Sequence, residues 1–238
     1  MTNFVLIGGA WIGAWAWRDV VATLRERGHD VYPLSLTGLA ERVHLRSPQT
    51  NLDTHLTDVI NLFEYEDLQD VVLVGHSYAG AVVTGVADRT PHRLKTLVYC
   101  DAGPIADGMS FIGTQSEHGQ AELRNTVGEH GDGWRLPFPG FEALGEQASL
   151  AGLDGAIRQR MQAKAVGHPF ATWTQPWHRT RTEPAKYAEV VIVCEDGQRF
   201  LPIVKSMLPD VHVRELDTGH WPMLSKPTEL AAILDGIR

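Results

Sequence analysis

The chain has 238 residues, 43% hydrophobic and 21% charged, with a formal net charge of −8 at pH 7. That length supports one sizeable core and is short for two, and an acidic balance with no clustered basic face excludes a nucleic-acid partner. Two cysteines, no basic leader before the apolar run Phe4 to Ile7, and no stretch near the roughly 18 apolar residues of a membrane span predict a cytoplasmic protein with reduced thiols and no membrane association.

Short apolar runs rich in β-branched residues lie at 4–8, 30–35, 71–75, 94–100, 189–194 and 211–217. Helix-like segments at 15–27, 52–65, 79–90, 200–207 and 227–237 fall between most of them. Runs without polar alternation suit strands buried on both faces, so the expected fold class is α/β: a mostly parallel central sheet of about six strands flanked by helices. The rhythm breaks over about 103–185, where the sequence offers no good strand, one helical candidate at 142–165, and the aromatics Phe111, Trp134, Phe138, Phe141, Phe170, Trp173 and Trp177. This reads as a mainly helical cap inserted into a single domain whose core is 1–102 and 186–238. As a set, the aromatics imply an apolar cavity beneath it.

The most pointed motif is Gly75-His76-Ser77-Tyr78-Ala79-Gly80, set between the run Val71 to Val74 and the helical stretch Ala81 to Arg89. A sharp strand-to-helix turn exposes the residue at its apex and demands small neighbours two before and two after it, here Gly75 and Ala79. Serine is a poor nucleophile unless a base takes its proton and a third group orients that base. In such sheets these groups leave the carboxyl ends of later strands, in the order nucleophile, acid, histidine. Among eleven histidines only His220 follows the final strand and precedes the final helix, so it is the expected base. Asp196 is the expected acid, with adjacent Glu195 as the alternative, because a strand end is read from sequence only to within a residue or two. Asp101, at the end of the preceding strand, and Asp217, three before the base, are outside alternatives for the acid and read first as loop-capping carboxylates. Oxyanion donors are expected at the backbone N–H of Tyr78 and, from the turn Gly8-Gly9-Ala10-Trp11, that of Ala10.

The same glycine turn, Gly8 to Gly13, loosely matches a dinucleotide-binding turn. However, Pro33-Leu34-Ser35 stand where an acidic ribose ligand belongs, and no tyrosine is followed four positions later by lysine. No phosphate loop, His-Glu-x-x-His or Cys-x-x-Cys spacing is present, so neither a cofactor nor a metal is expected.

Several segments together resemble the small α/β-hydrolase esterases, notably bacterial members akin to plant methylesterases and plant hydroxynitrile lyases. They are Phe4 to Ile7 with Gly9-Ala10-Trp11 and Gly13-Ala14-Trp15; Leu36 to Arg42; Asn51 to Asp70 leading into the Ser77 turn; Thr172 to Pro176; Cys194-Glu195-Asp196 with Leu201-Pro202; and Gly219 to Pro227. The resemblance implies a Ser77–His220–Asp196 triad, oxyanion donors at Ala10 and Tyr78, and no cofactor. It departs from the family at Gly8, where histidine is usual, at Ala79, where a second glycine is usual, and in a longer spacing from Asp196 to Pro202. The lyases carry threonine at the position of Gly9 and lysine at that of Trp221, so the resemblance favours ester hydrolysis. The expectation is a serine carboxylic-ester hydrolase acting on a small apolar or aromatic ester. A lyase, a cofactor-free oxygenase or a ligand-binding receptor on the same scaffold are the competing readings, and a homodimer is compatible with all of them.

Overall fold

Six strands pair into one sheet in which every pairing is parallel. The computed structural model describes residues 1–182 and 186–237. β1 (Asn3–Ile7), α1 (Arg18–Glu26), β2 (Asp30–Leu34), α2 (Leu52–Tyr65), β3 (Val71–His76), α3 (Ala79–Arg89) and β4 (Leu94–Cys100) alternate along the first half. The segment that follows carries α4 (Glu117–His130), β5 (Arg135–Leu136), α5 (Gly140–Gln147), α6 (Gly155–Lys164), β6 (His168–Pro169) and α7 (Ala171–Thr174). β7 (Ala188–Val193), α8 (Leu201–Met207), β8 (His212–Glu215), α9 (Pro222–Ser225) and α10 (Pro227–Asp235) return to the sheet.

The sheet order is β2-β1-β3-β4-β7-β8. β3 is central and every one of its residues is buried, which is why its sequence shows no polar alternation. At one edge β2 tolerates Pro33, and at the other β8 is largely exposed. α2 starts on a capping box in which Asn51 Oδ1 accepts the Thr54 N–H at 3.1 Å. α2 and α3 lie close together because Gly85 on α3 leaves room for Leu56: a Cβ there would stand 2.5 Å from Leu56 Cδ2. Both cysteines are buried and unpaired. No helix among the described residues is long and apolar enough to cross a membrane.

All six expected strands form the sheet. The segment between β4 and β7 differs from its sequence reading in three ways. The helical candidate 142–165 is two helices, α5 and α6, separated where Gly152 takes φ +79° and Asp154 caps the second by accepting the Ile157 N–H at 2.8 Å. α4 was not expected, because Val127 is its only buried residue and it shows almost no apolar face. A two-residue antiparallel ladder, β5 with β6, occupies a region that promised no strand. The expected end of the cap, 183–185, lies outside the described residues.

Candidate active site

β3 ends at His76, Tyr78 caps α3, and Ser77 between them holds φ +52°, a left-handed backbone that non-glycine residues rarely adopt. The Gly80 N–H returns to Ser77 O at 2.8 Å and closes the turn. Only glycine fits at 75, since a Cβ would meet Ala79 O and Val83 Cγ1 at 2.7 Å. Ala79 is fully buried in the first turn of α3, so the methyl group fits where glycine is usual. Ser77 itself is half-buried.

Strain of this kind recurs nearby. Trp11 (φ +64°) and Asp101 (φ +44°) also hold left-handed backbone, so three of the seven non-glycine residues with positive φ among the described residues sit on loops leaving the same ends of β1, β3 and β4. Such strain persists only where surrounding structure imposes it, and it concentrates at functional sites.

His220 lies on the loop after β8. Its Nδ1 is 2.6 Å from Asp101 Oδ2, and no hydrogen bond engages its Nε2 among the described residues. The structure thus pairs His220 with Asp101 and not with Asp196, the acid expected from sequence. β3 and β4 are neighbours with His76 opposite Cys100, so the next residues, Ser77 and Asp101, leave the sheet side by side. The Ser77 N–H reaches Cys100 O at 3.3 Å. Asp196 lies one strand further away, and a tight turn at Gly197–Arg199 directs its carboxylate to the Ser149 N–H at 2.5 Å. Glu195 is exposed and accepts the Ser149 hydroxyl. Asp217, also exposed, has no hydrogen bond to His220.

Asp101 is nearly inaccessible, with a side chain 1% exposed. Burial opposes its ionisation, but the hydrogen bond and charge of His220, the Cys194 N–H at 2.9 Å and His76 together hold its carboxyl below the ordinary value. Gly197 permits this approach, since a Cβ there would fall 2.4 Å from Asp101 Oδ1. His76 adds a further brace by donating Nε2–H to the backbone carbonyl of His220 at 2.7 Å. Burial, and then the neighbouring His220, press the His76 pKa down to about 3. Asp101, Asp196 and His220 offer ligand atoms within 4.8 Å of one another, yet Asp101 and His220 engage each other and Asp196 engages Ser149, an arrangement that orients an imidazole.

The N–H of Tyr78 belongs to the N-cap of α3, where helical amides have no intrahelical acceptor. The Trp11 N–H is directed to His168 Nδ1 at 3.3 Å, and no hydrogen bond engages the Ala10 N–H among the described residues. Gly9 is required beside it: a Cβ would lie 2.8 Å from His76 Nδ1 and 2.9 Å from Ser77 Cβ. The five residues Ser77, His220, Asp196, Ala10 and Tyr78 therefore lie on loops at one end of the sheet, with Asp101 added and Asp196 set one strand aside.

Of the cap aromatics, Phe111, Phe138, Phe141 and Trp173 join Trp11 and Tyr78 in one cluster. Trp173 stacks on Tyr78 with centroids 6.1 Å apart, meets Phe111 edge-on at 4.8 Å and tilts against Trp11 at 6.1 Å, while Phe138 meets Trp11 at 5.9 Å. Trp177 packs elsewhere, against Gly85 of α3.

Comparison with known proteins agrees with this fold. The alpha/beta hydrolase family matches residues 4–233. A carbendazim hydrolyzing esterase of Nocardioides sp. (strain SG-4G) is 51% identical, covering 97% of both chains. A putative chloroplastic methylesterase 14 of Arabidopsis thaliana is 30% identical over 98% of this chain and 70% of its own. In fold, an extracellular alpha/beta-hydrolase from a Paenibacillus species, described as sharing structural and functional homology with tobacco salicylic acid binding protein 2, superposes with a TM-score of 0.84 at 21% identity, covering 100% and 99% of the two chains. With its parallel sheet, its strained serine turn and a family match spanning nearly its whole length, the chain belongs to the alpha/beta hydrolase family.

Proposed function

We propose that this protein is a serine carboxylic-ester hydrolase working through an acyl-enzyme, with Ser77 as nucleophile, His220 as base and Asp101, in place of Asp196, as the acid of the triad. The observation that carries the reading is the 2.6 Å bond from His220 Nδ1 to the buried Asp101, whose strand end adjoins that of Ser77. Ser77 Oγ attacks the acyl carbon as its proton passes to His220 Nε2. Asp101 holds the imidazole in the tautomer with Nδ1–H and stabilises the imidazolium. The N–H groups of Ala10 and Tyr78 receive the oxyanion. The imidazolium then returns the proton to the leaving alkoxide, and water repeats the sequence in reverse to release the acid.

A small apolar or aromatic ester is the favoured substrate class. The cluster of Trp11, Trp173, Phe111 and Phe138 beside the two oxyanion loops supports it, as do the relatives named carbendazim hydrolyzing esterase and methylesterase. Lyase chemistry is disfavoured because Gly9 has no room for a side chain and Trp221 stands where the lyases place a cation. Fluorophosphonate labelling mapped by mass spectrometry, run beside a panel of p-nitrophenyl acetate, methyl and aryl esters, carbendazim and mandelonitrile, tests the proposal. Modification at Ser77 and turnover of esters are expected. A folded protein unlabelled at Ser77, or one turning over only the nitrile, would contradict it.

A further inference from the structure

Both loops assigned to the oxyanion are held from behind by a buried imidazole. Trp11, next to Ala10, donates its N–H to His168 Nδ1 at 3.3 Å, and the Tyr78 hydroxyl meets His55 Nδ1 at 2.9 Å. His168 comes from the β5–β6 ladder and His55 from α2; each is 0% exposed.

Their partners fix the tautomers. His55 Nε2 faces the Thr37 carbonyl at 2.9 Å and must carry the proton, leaving Nδ1 to accept from Tyr78. His168 Nε2 lies 3.0 Å from Thr172 Oγ1, whose own proton goes to Pro169 O at 2.7 Å, so Nε2 donates and Nδ1 is bare. Both rings are thus neutral. Around His168 stand Tyr78, His55 and Trp173, with centroids at 4.6, 5.8 and 6.0 Å, while Asp58 of α2 and Arg42 of the preceding turn act on His55. No carboxylate hydrogen-bonds to either ring among the described residues.

Trp11 belongs to neither strand nor helix and its left-handed φ leaves its amide to be aimed by external partners. The segment around β6 supplies them on both sides: the Val166 N–H donates to Trp11 O at 3.1 Å while His168 takes the Trp11 N–H. β5 adds a third tie, the Leu136 carbonyl accepting Trp11 Nε1–H at 3.1 Å. A backbone gripped at N–H, C=O and side chain fixes the adjoining Ala10 peptide as well.

We propose that His168 is a positioning residue for the oxyanion loop: its bare Nδ1 pins the Trp11 amide and so aims the Ala10 N–H, making transition-state stabilisation depend on the β5–β6 segment being seated. This rests on the acyl-transfer reading above. Preorganised donors work only if their direction is fixed before charge develops, and small displacements cost rate more than binding.

The test compares two polar replacements. In His168→Asn the amide oxygen falls where Nδ1 stood, whereas in His168→Gln the polar group reaches the Nε2 position. On p-nitrophenyl acetate, H168N is expected to keep kcat within about 3-fold, and H168Q to lose about 10- to 100-fold in kcat with KM changed by less than about 3-fold. Equal kcat for the two variants, a higher kcat for H168Q, or a loss confined to KM overturns the proposal. Should either fail to fold, Thr172→Ser and Thr172→Val replace them: the valine removes the acceptor that fixes the His168 tautomer and is expected to lower kcat several-fold at constant KM, with serine restoring it. Equal kcat there overturns the proposal too. Fluorophosphonate labelling of Ser77 in wild type is measured first, so that absence of labelling rejects the acyl-transfer reading, while equal kcat values in a labelled enzyme reject only the role of His168.

Discussion

The strand ends of the sheet and the segment between β4 and β7 both contribute to the site around Ser77, but they hold their residues by different means. Ser77, Asp101 and the Trp11 loop are fixed by buried parallel strands whose register sets where each chain leaves the sheet. The inserted segment reaches the site through a few backbone bonds, such as His220 N–H to Ser149 O at 3.0 Å, and through the edges of Trp173, Phe111 and Phe138. The difference teaches where to expect robustness. On the proposed mechanism, the Ser77–Asp101 placement depends on sheet register, whereas the seating of the Trp11 and His220 loops and the fit of a substrate depend also on the cap.

The most severe way to break that comparison is at the sheet. Ser77→Ala is expected to lower kcat about 10⁴-fold or more with little change in the unfolding midpoint, because it removes only the hydroxyl of the proposed nucleophile. Chemical denaturation alongside ester turnover checks both halves.

Acid exposes the shared interior. Burial presses the pKa of His55 down to about 4, that of His76 to about 3, and that of His168 well below 6.5. Between the ordinary imidazole value and these folded values the unfolded chain binds more protons, so stability is full above pH 6.5 and falls as pH drops toward 4. One proton bound only by the unfolded chain corresponds to a slope of at most about 1.4 kcal/mol per pH unit in that window. Urea denaturation at pH 7, 6, 5 and 4 measures the slope; a flat profile would mean that these imidazoles are not buried neutral.

Within the cap, Trp173→Ala should cost about 3–5 kcal/mol of stability if its seat is as close-packed as a core, and should raise KM more than it lowers kcat. The smallest effect is expected for Ser149→Ala. It loses the hydroxyl's bonds to exposed Glu195 and from the Ala151 N–H but keeps the backbone bonds to Asp196 and His220, so about 1 kcal/mol and little activity should be lost.

Reading the sequence succeeded where local pattern and tertiary structure agree. The six apolar runs are the six sheet strands; Ser77 directly follows β3, and His220 lies on the loop between β8 and α9. Asp101 ranks behind Asp196 in the sequence because sequence order does not reveal sideways order: β4, which Asp101 follows, neighbours β3, while β7, which precedes Asp196, is one strand removed. The signal available was that Asp101 immediately follows a run able to pair with the serine's own strand. α4 escaped notice because its stability does not come from an apolar stripe, and the 142–165 periodicity ran through a break set by Gly152 and by backbone contacts to the His220 loop. His168 gave no sign at all, since its partner Trp11 is 157 residues away.

The measurement that bears most directly on the account is kcat for ester hydrolysis by Asp101→Asn and Asp196→Asn, prepared and assayed side by side. A serine site oriented by the 2.6 Å bond from His220 to Asp101 predicts a loss of about 10³- to 10⁴-fold for D101N and less than about 10-fold for D196N. The reverse order, with D196N crippled and D101N nearly intact, would contradict it.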